Sequence, residues 1–374
     1  MNKPDSNRPE LASEIKELKR LVSSRDLKNA AERIDQIEDL HAEDCISDPD
    51  FMLQKATLLN QTGDYRGAAD AAGTAYNIVR TSSDHSMLVS IQTELARAHQ
   101  YLGDTEGAER EYRDVAASFR RIGDIGGVID TLNRIAGIRY LRADYVEARR
   151  LLDEAWNYAE EIGDESRLAR ISGNAGRIAI REGRFHEAVE RLSVSVEKHG
   201  RLGNSVSMSR AFLSLALVEI RLGNYDSARR NLRNALSIVR EHDLKRELAV
   251  YFEYKAELQL ALGNLDDALN TADSAIEVGH SISADGDLVS QSKRLKAEIL
   301  FAMRRFDEAE ETARQALNVA EKIDEKLEIA QSTRVLALVA DRRGASTDSK
   351  QLIEYAIALL KELNTSFELA DCYD

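Results

Sequence analysis

The chain has 374 residues with 51 Lys and Arg against 65 Asp and Glu, a formal charge of −14. That balance argues against a protein that coats nucleic acid, whose phosphates require a basic surface, and against general binding to anionic membranes. Pro4, Pro9 and Pro49 are the only prolines, so residues 50–374 carry no strong helix breaker, and the good helix formers Ala, Leu, Glu and Arg dominate.

Along the chain one turn phrase returns. A degenerate copy, Arg25-Asp26-Leu27, comes first, followed by Gly63-Asp64-Tyr65, Gly103-Asp104-Thr105, Ala143-Asp144-Tyr145, Gly183-Arg184-Phe185, Gly223-Asn224-Tyr225 and Gly263-Asn264-Leu265, each 40 residues after the last. Arg304-Arg305-Phe306 follows after 41, and Gly344 after a further 40. A second series lies half a period away: Gly123-Asp124, Gly163-Asp164, Gly203-Asn204, His242-Asp243, Asp324 and Asn364. Gly and Asn at such points supply the left-handed residue that ends a helix, and Asp or Asn caps the next. Between turns, apolar residues recur three and four apart, as in Leu232, Ala235, Leu236 and Val239. The repeat is therefore a pair of helices of roughly 16 to 18 residues. This predicts one all-α solenoid over 1–374, with nine hairpins beginning near 10, 50, 85, 125, 165, 205, 244, 285 and 325. The charged stretch Glu10–Arg20 suits a capping face. A further helix over 365–374 stops short of a hairpin, which fits either a segment of a longer protein or a short capping helix.

Two positions stay small. One holds Ala56, Ala96, Ala136, Gly176, Ala216, Ala256, Ala297 and Ala337; the other holds Ala68, Ala108, Ala148, Ala188, Ala228, Ala268, Ala309 and Ser349. Helices that cross closely require this, because interaxial distance follows side-chain size. The string Ala216, Leu222-Gly223-Asn224-Tyr225, Ala228, Leu232, Ala235-Leu236 resembles the tetratricopeptide signature, although the repeat is 40 residues long against about 34 and lacks the usual proline. Longer helices with an Asp- or Asn-bearing turn look like the variants in bacterial regulators: MalT-like activators, Rap-type and PlcR-type peptide sensors, and sigma-54 activators. They also resemble the repeats of Pins-type polarity scaffolds. The resemblance implies a right-handed superhelix whose first helices line a concave surface, with no catalytic role.

The residues themselves show no catalytic or phosphate-binding motif. Gly123, Gly126 and Gly127 follow no strand and read as a turn. Cys45 beside His41 and Asp44 lacks an oxyanion site. His85 and His99 stand about 21 Å apart along a helix, too far to share a metal, and His186, His199, His242 and His280 read as solvated or capping. Trp156 reads as packing. No cofactor or metal is expected. No stretch approaches roughly 18 uncharged apolar residues, and Met1–Glu10 lacks the apolar core of a secretory signal. Cys45 and Cys372 lie at opposite ends, so the cytoplasm is the simplest compartment.

Stripes of first-helix residues are more informative. They contain Arg97 and Tyr101, then Asn133, Arg134 and Tyr140, then Arg170, Asn174, Arg177 and Arg181, then Arg210. Residues 161–240 carry 13 Arg and one Lys against nine Asp and Glu, so the acidic chain concentrates its positive charge here. Asn can hydrogen-bond a ligand backbone, and Arg can clamp a carboxylate bidentately. These residues predict a groove for an extended, acidic protein or peptide segment. The alternative is that the arginines pair within the fold, as Arg134 could with Asp130. Leu213, Leu217 and Ile220 belong either to a pocket or to the core. Three functions compete: a peptide- or protein-binding module of a larger signalling or transcription regulator, a scaffold that self-associates or docks partners on its convex face, and the non-catalytic part of an enzyme or DNA-binding regulator.

Overall fold

The structure, a computed structural model, describes residues 8–24, 26–80 and 84–373. Arg25 of the degenerate first turn, most of Met1–Glu10 (residues 1–7) and Asp374 fall outside this range. Among the described residues there are nineteen helices and no strand. They fall into two compact units, Met1–Ile138 and Arg139–Asp374, with the boundary inside α7. The first unit contains α1 (Arg8–Ser23), α2 (Leu27–Ile46), α3 (Pro49–Thr62), α4 (Tyr65–Val79), α5 (His85–Tyr101), α6 (Thr105–Ile122) and most of α7 (Ile125–Leu141). The second contains α8 (Tyr145–Glu161), α9 (Glu165–Arg181), α10 (Phe185–Arg201), α11 (Ser205–Arg221), α12 (Tyr225–Glu241), α13 (Lys245–Ala261) and α14 (Leu265–Ile282). It continues through α15 (Asp287–Ala302), α16 (Phe306–Lys322), α17 (Lys326–Arg342), α18 (Ser346–Glu362) and the short α19 (Ser366–Ala370).

The turns follow one rule. Gly103, Gly123, Ala143, Gly163, Gly183, Gly203, Gly223, Asp243 and Gly263 all have positive φ, one every 20 residues. After each, the next amide reaches back five residues: Asp104 to His99 O, Asp124 to Phe119 O, Asn224 to Glu219 O and Asn264 to Gln259 O. This is the Schellman arrangement, which satisfies carbonyls that a helix end leaves open. One longer loop, Ser283–Gly286, interrupts the count, and positive φ resumes at Arg304, Asp324, Gly344 and Asn364.

The same residue that closes one helix caps the next. The side chains of Asp64, Asp104, Asp124, Asp144 and Asp164 accept from the amide three residues on, as at Gly107 (2.8 Å) and Gly127 (2.9 Å). The expectation of Asp or Asn caps fails later in the chain. Asp243, Asp324 and Asn364 occupy the left-handed position itself, so Leu244, Glu325 and Thr365 follow as caps without a side-chain bond. Asn224 caps nothing either; its amide donates to Glu219 instead (2.8 Å).

The small positions meet where hairpins cross. All fourteen alanines at the two positions are buried. In the last hairpin the Ser349 hydroxyl donates to the Ala337 carbonyl at 3.0 Å, which joins the two positions directly. At Gly176 a Cβ would stand 2.6 Å from Leu192 Cγ, and Leu192 is itself fully buried. Each first helix packs on its own partner and also on the first helix of the next hairpin: α9 on α11, α11 on α13, α13 on α15, α15 on α17. First helices therefore sit side by side and line the inner face of the second unit.

Ala216 is completely buried at such a crossing. Ala216→Leu and Gly176→Ala should each destabilise the chain by about 1–3 kcal/mol, because overpacking forces the helices apart. Ala216→Ser should cost less. Urea unfolding followed by circular dichroism checks the order, and equal tolerance of Leu and Ser at 216 contradicts the packing.

Candidate groove of the second unit

The inner face of residues 139–374 is built from one stripe per first helix. On α11, Ser214, Leu217 and Arg221 face a cavity, whereas Leu213 and Ile220 are buried in the core with Leu232 and Tyr251. That divides the apolar trio: Leu217 belongs to the groove and the other two to packing.

Charges link the stripes. Arg210 Nε donates to Glu247 (2.6 Å), and Arg221 pairs with Glu257 (2.6 Å). Arg294 donates to Glu328 (2.9 Å) and Glu298 (3.0 Å) and lies 3.9 Å from Glu253, while Arg334 also donates to Glu298 (2.8 Å). The partners are 34 to 37 residues apart, one helical turn short of the repeat, so each pair clamps a first helix to its neighbour. The Arg294 centre is deeply buried. Burial raises the Glu298 carboxyl, but Arg294, Arg334 and Arg221 outweigh it and hold the pKa low. At Glu253 burial wins: only Arg294 opposes it, Glu328, Glu257 and Glu325 add repulsion, and its pKa is pushed up to about 8.

At the other side of the unit the inner face closes on itself. Arg181 Nε donates to the Tyr140 hydroxyl (3.0 Å), and its Nη1 lies 3.4 Å from Glu368 of α19, 187 residues away. Asn364 donates to the Ala143 carbonyl (3.4 Å) across 221 residues. Phe367 packs edge-on against Phe185 with centroids 5.3 Å apart, and the Arg221 guanidinium lies 4.6 Å above its ring. Each such aromatic or cation–π contact is worth about 1 kcal/mol. Burial disfavours ionisation of Tyr140, but Arg181 and Arg177 outweigh it and hold the phenol below its ordinary value.

The ten residues predicted from sequence therefore divide. Arg97, Tyr101, Asn133 and Arg134 belong to the first unit. There Arg97 lies 3.7 Å from Glu94, Tyr101 stacks on Tyr65 (4.5 Å), and Arg134 lies over the Tyr112 ring (5.9 Å). Tyr140, Arg170, Asn174, Arg177, Arg181 and Arg210 belong to the second unit. Of these, Tyr140, Arg177 and Arg181 converge: the exposed Arg177 guanidinium sits 5.4 Å over the Tyr140 ring. Arg210 is turned to Glu247, and Arg170 lies near the buried His199, whose pKa burial and that arginine both lower. His199 and His41 are buried, not solvated. Cys45 is fully buried, its thiol raised by burial, which removes it as a nucleophile. Trp156 carries Arg191 over its ring, 5.7 Å away.

Comparison with known proteins bears on these hairpins. A sequence pattern described as tetratricopeptide repeat matches residues 254–325, the stretch where buried Ala256 and Ala268 mark the helix crossing. Its hairpins are tetratricopeptide repeats. A second family, anaphase-promoting complex subunit 5, matches residues 45–108 and 176–261, less than half the chain. No curated protein matches the sequence. Among solved structures, the apo form of RapI is similar over 95% of this chain and 99% of its own, at 12% identity and a TM-score of 0.67. The apo form of the quorum sensor NprR from B. thuringiensis covers 83% of this chain and 87% of its own, at 15% and 0.67. NprR in complex with its cognate peptide NprX covers 86% and 92%, at 14% and 0.61. At these identities the likeness is one of fold. Among the described residues no helix is long and apolar enough to cross a membrane.

The tetratricopeptide stack of the second unit carries its charges inside, with two expected consequences. Between 4.5 and about 8 the folded chain retains a proton at Glu253 that the unfolded chain has released, so this residue makes stability fall as pH rises through that window. Glu253→Gln should therefore gain stability over the parent progressively from pH 5 to pH 8 in thermal melts; a constant difference rules this out. Arg294→Met leaves Glu253, Glu298 and Glu328 without their shared cation and should destabilise by about 3–5 kcal/mol, measurable by urea unfolding.

Proposed function

We propose that the chain is a binding module, the sensory or protein-docking part of a bacterial signalling or transcription regulator, that grips an extended acidic peptide or partner segment on the inner face of residues 139–374. One observation carries the reading. Arg177 and Arg181 converge on Tyr140, and the carboxylate that meets Arg181 comes from a distant, short, acidic segment of the same chain. A surface that holds one acidic segment by an arginine has the chemistry to hold another. Asn174, one turn before Arg177 on the same helix, supplies a type of side chain that pairs with a peptide backbone through both donor and acceptor. That NprR shares this fold and is known with its cognate peptide bound supports peptide recognition as the use of the inner face.

Because α9 presents Arg177 inward while Arg229 lies on a second helix beside Asp226, the two arginines make a controlled pair. A random decapeptide display library selected on the full chain should enrich Asp- and Glu-containing sequences. Arg177→Glu should reduce their binding at least tenfold with little change in helicity or melting temperature, and Arg229→Glu should leave it intact. Affinity should fall with salt, since screening acts over about 8 Å at physiological ionic strength. Equal loss at both arginines, or none at Arg177, moves the site away from this face.

A further inference from the structure

Two cavities, of about 290 and 170 Å³, lie on the inner face of the second unit. They share Arg221, Glu257, Arg294, Gln331, Phe367 and Glu368 as walls. Phe367 and Glu368 come from α19; the other four come from α11, α13, α15 and α17. The α19 side chains are thus a partition standing in a larger groove. Neither cavity alone reaches the usual range of ligand pockets, about 300–1,000 Å³, so a peptide fits only where α19 gives way.

The partition is lightly held. Helix α19 has five residues, none of them buried, and a helix this short has no stability of its own. Glu368 has one oxygen on Arg181 at 3.4 Å, a long contact, while its Oε2 is buried with no hydrogen-bond partner. Phe367 sits between Phe185 and Arg221. These contacts define two adjacent subsites: an aromatic slot walled by Phe185 and the Arg221 guanidinium, and a carboxylate site at Arg181.

Resting on the peptide-binding reading above, we infer that Phe367-Glu368 stands in for the ligand, and that the ligand is a segment with an aromatic residue followed directly by an acidic one. Such a segment takes both subsites and expels α19, so the groove opens only to a competitor that satisfies Arg181 better than Glu368 does.

Cys372 provides a reporter. It lies two residues beyond α19, its thiol is partly covered and raised by burial, and it donates to the Glu368 carbonyl at 3.6 Å; Cys45, the other free cysteine, is fully buried. The probe is acetyl-Ser-Phe-Glu-Leu-Ala-Asp-amide, the sequence of residues 366–371, offered to the full chain. Saturating peptide should raise the rate of Cys372 modification by a thiol reagent at least fivefold, and the same peptide with Ala for Phe or Gln for Glu should not. The double variant Phe367→Ala, Glu368→Gln should bind the probe at least tenfold more tightly than the parent, and adding Arg181→Ala should remove that gain. An unchanged Cys372 rate with peptide bound, or equal binding of the Phe- and Ala-containing peptides, overturns the inference. If acidic library peptides bind through Arg177 while Cys372 stays protected, the broader reading survives and this one fails; if no acidic peptide binds at all, both fail.

Discussion

Every helix end in this chain must dispose of its last carbonyls within two residues, and the structure solves this with a single left-handed residue followed by an amide that reaches back five positions. Because the residue donating that amide also begins the next helix, the angle between successive helices is set locally, twenty residues at a time. Helix length, the burial of the small positions and the side-by-side placement of first helices all follow from that interval. Where the interval slips, at Ser283–Gly286, the helices on either side keep their packing, since α14 still lies against α15 and α13 against α15.

Inside the second unit, ionic pairs take over a task that apolar packing performs elsewhere. Arg210–Glu247, Arg221–Glu257 and the Arg294 centre each tie a first helix to the next one along. Their desolvation is expensive, and replacing a buried ion pair with hydrocarbon is often neutral or stabilising, so stability alone does not account for them. A polar inner wall does keep this face from collapsing into a second hydrophobic core. It also leaves carboxylates and guanidinia within reach of whatever enters.

The turns and the hairpins are legible in the sequence because they recur: glycine or a tolerated substitute at one spacing, alanine at two others. Arg177, Arg181 and Tyr140 are legible as inward-facing because they fall on the stripe of a first helix. Their partners are not. Glu368 and Phe367 reach Arg181 and Phe185 across some 180 residues, and no local pattern specifies contacts at that range. The Arg210–Glu247 and Arg294–Glu328 pairs left a weaker trace, an arginine and a glutamate 34 to 37 residues apart on consecutive first helices, which a search for complementary charge one turn short of the repeat would find. Residues read as a single stripe, such as Arg134 and Arg177, belong to separate compact units, a division that periodicity does not mark.

Closure between Ala143 and Asn364, and between Arg181 and Glu368, makes the second unit count its own repeats. An open repeat array can gain or lose a hairpin by duplication or deletion and still present a folded product, because each repeat answers only to its neighbours. Here an extra 40 residues anywhere between the two seams would carry Phe367 and Glu368 past their subsites, and one hairpin fewer would leave them short. The number of hairpins in this half of the chain is therefore itself under structural selection, and repeat expansion, the usual route by which such proteins diversify, is closed to it.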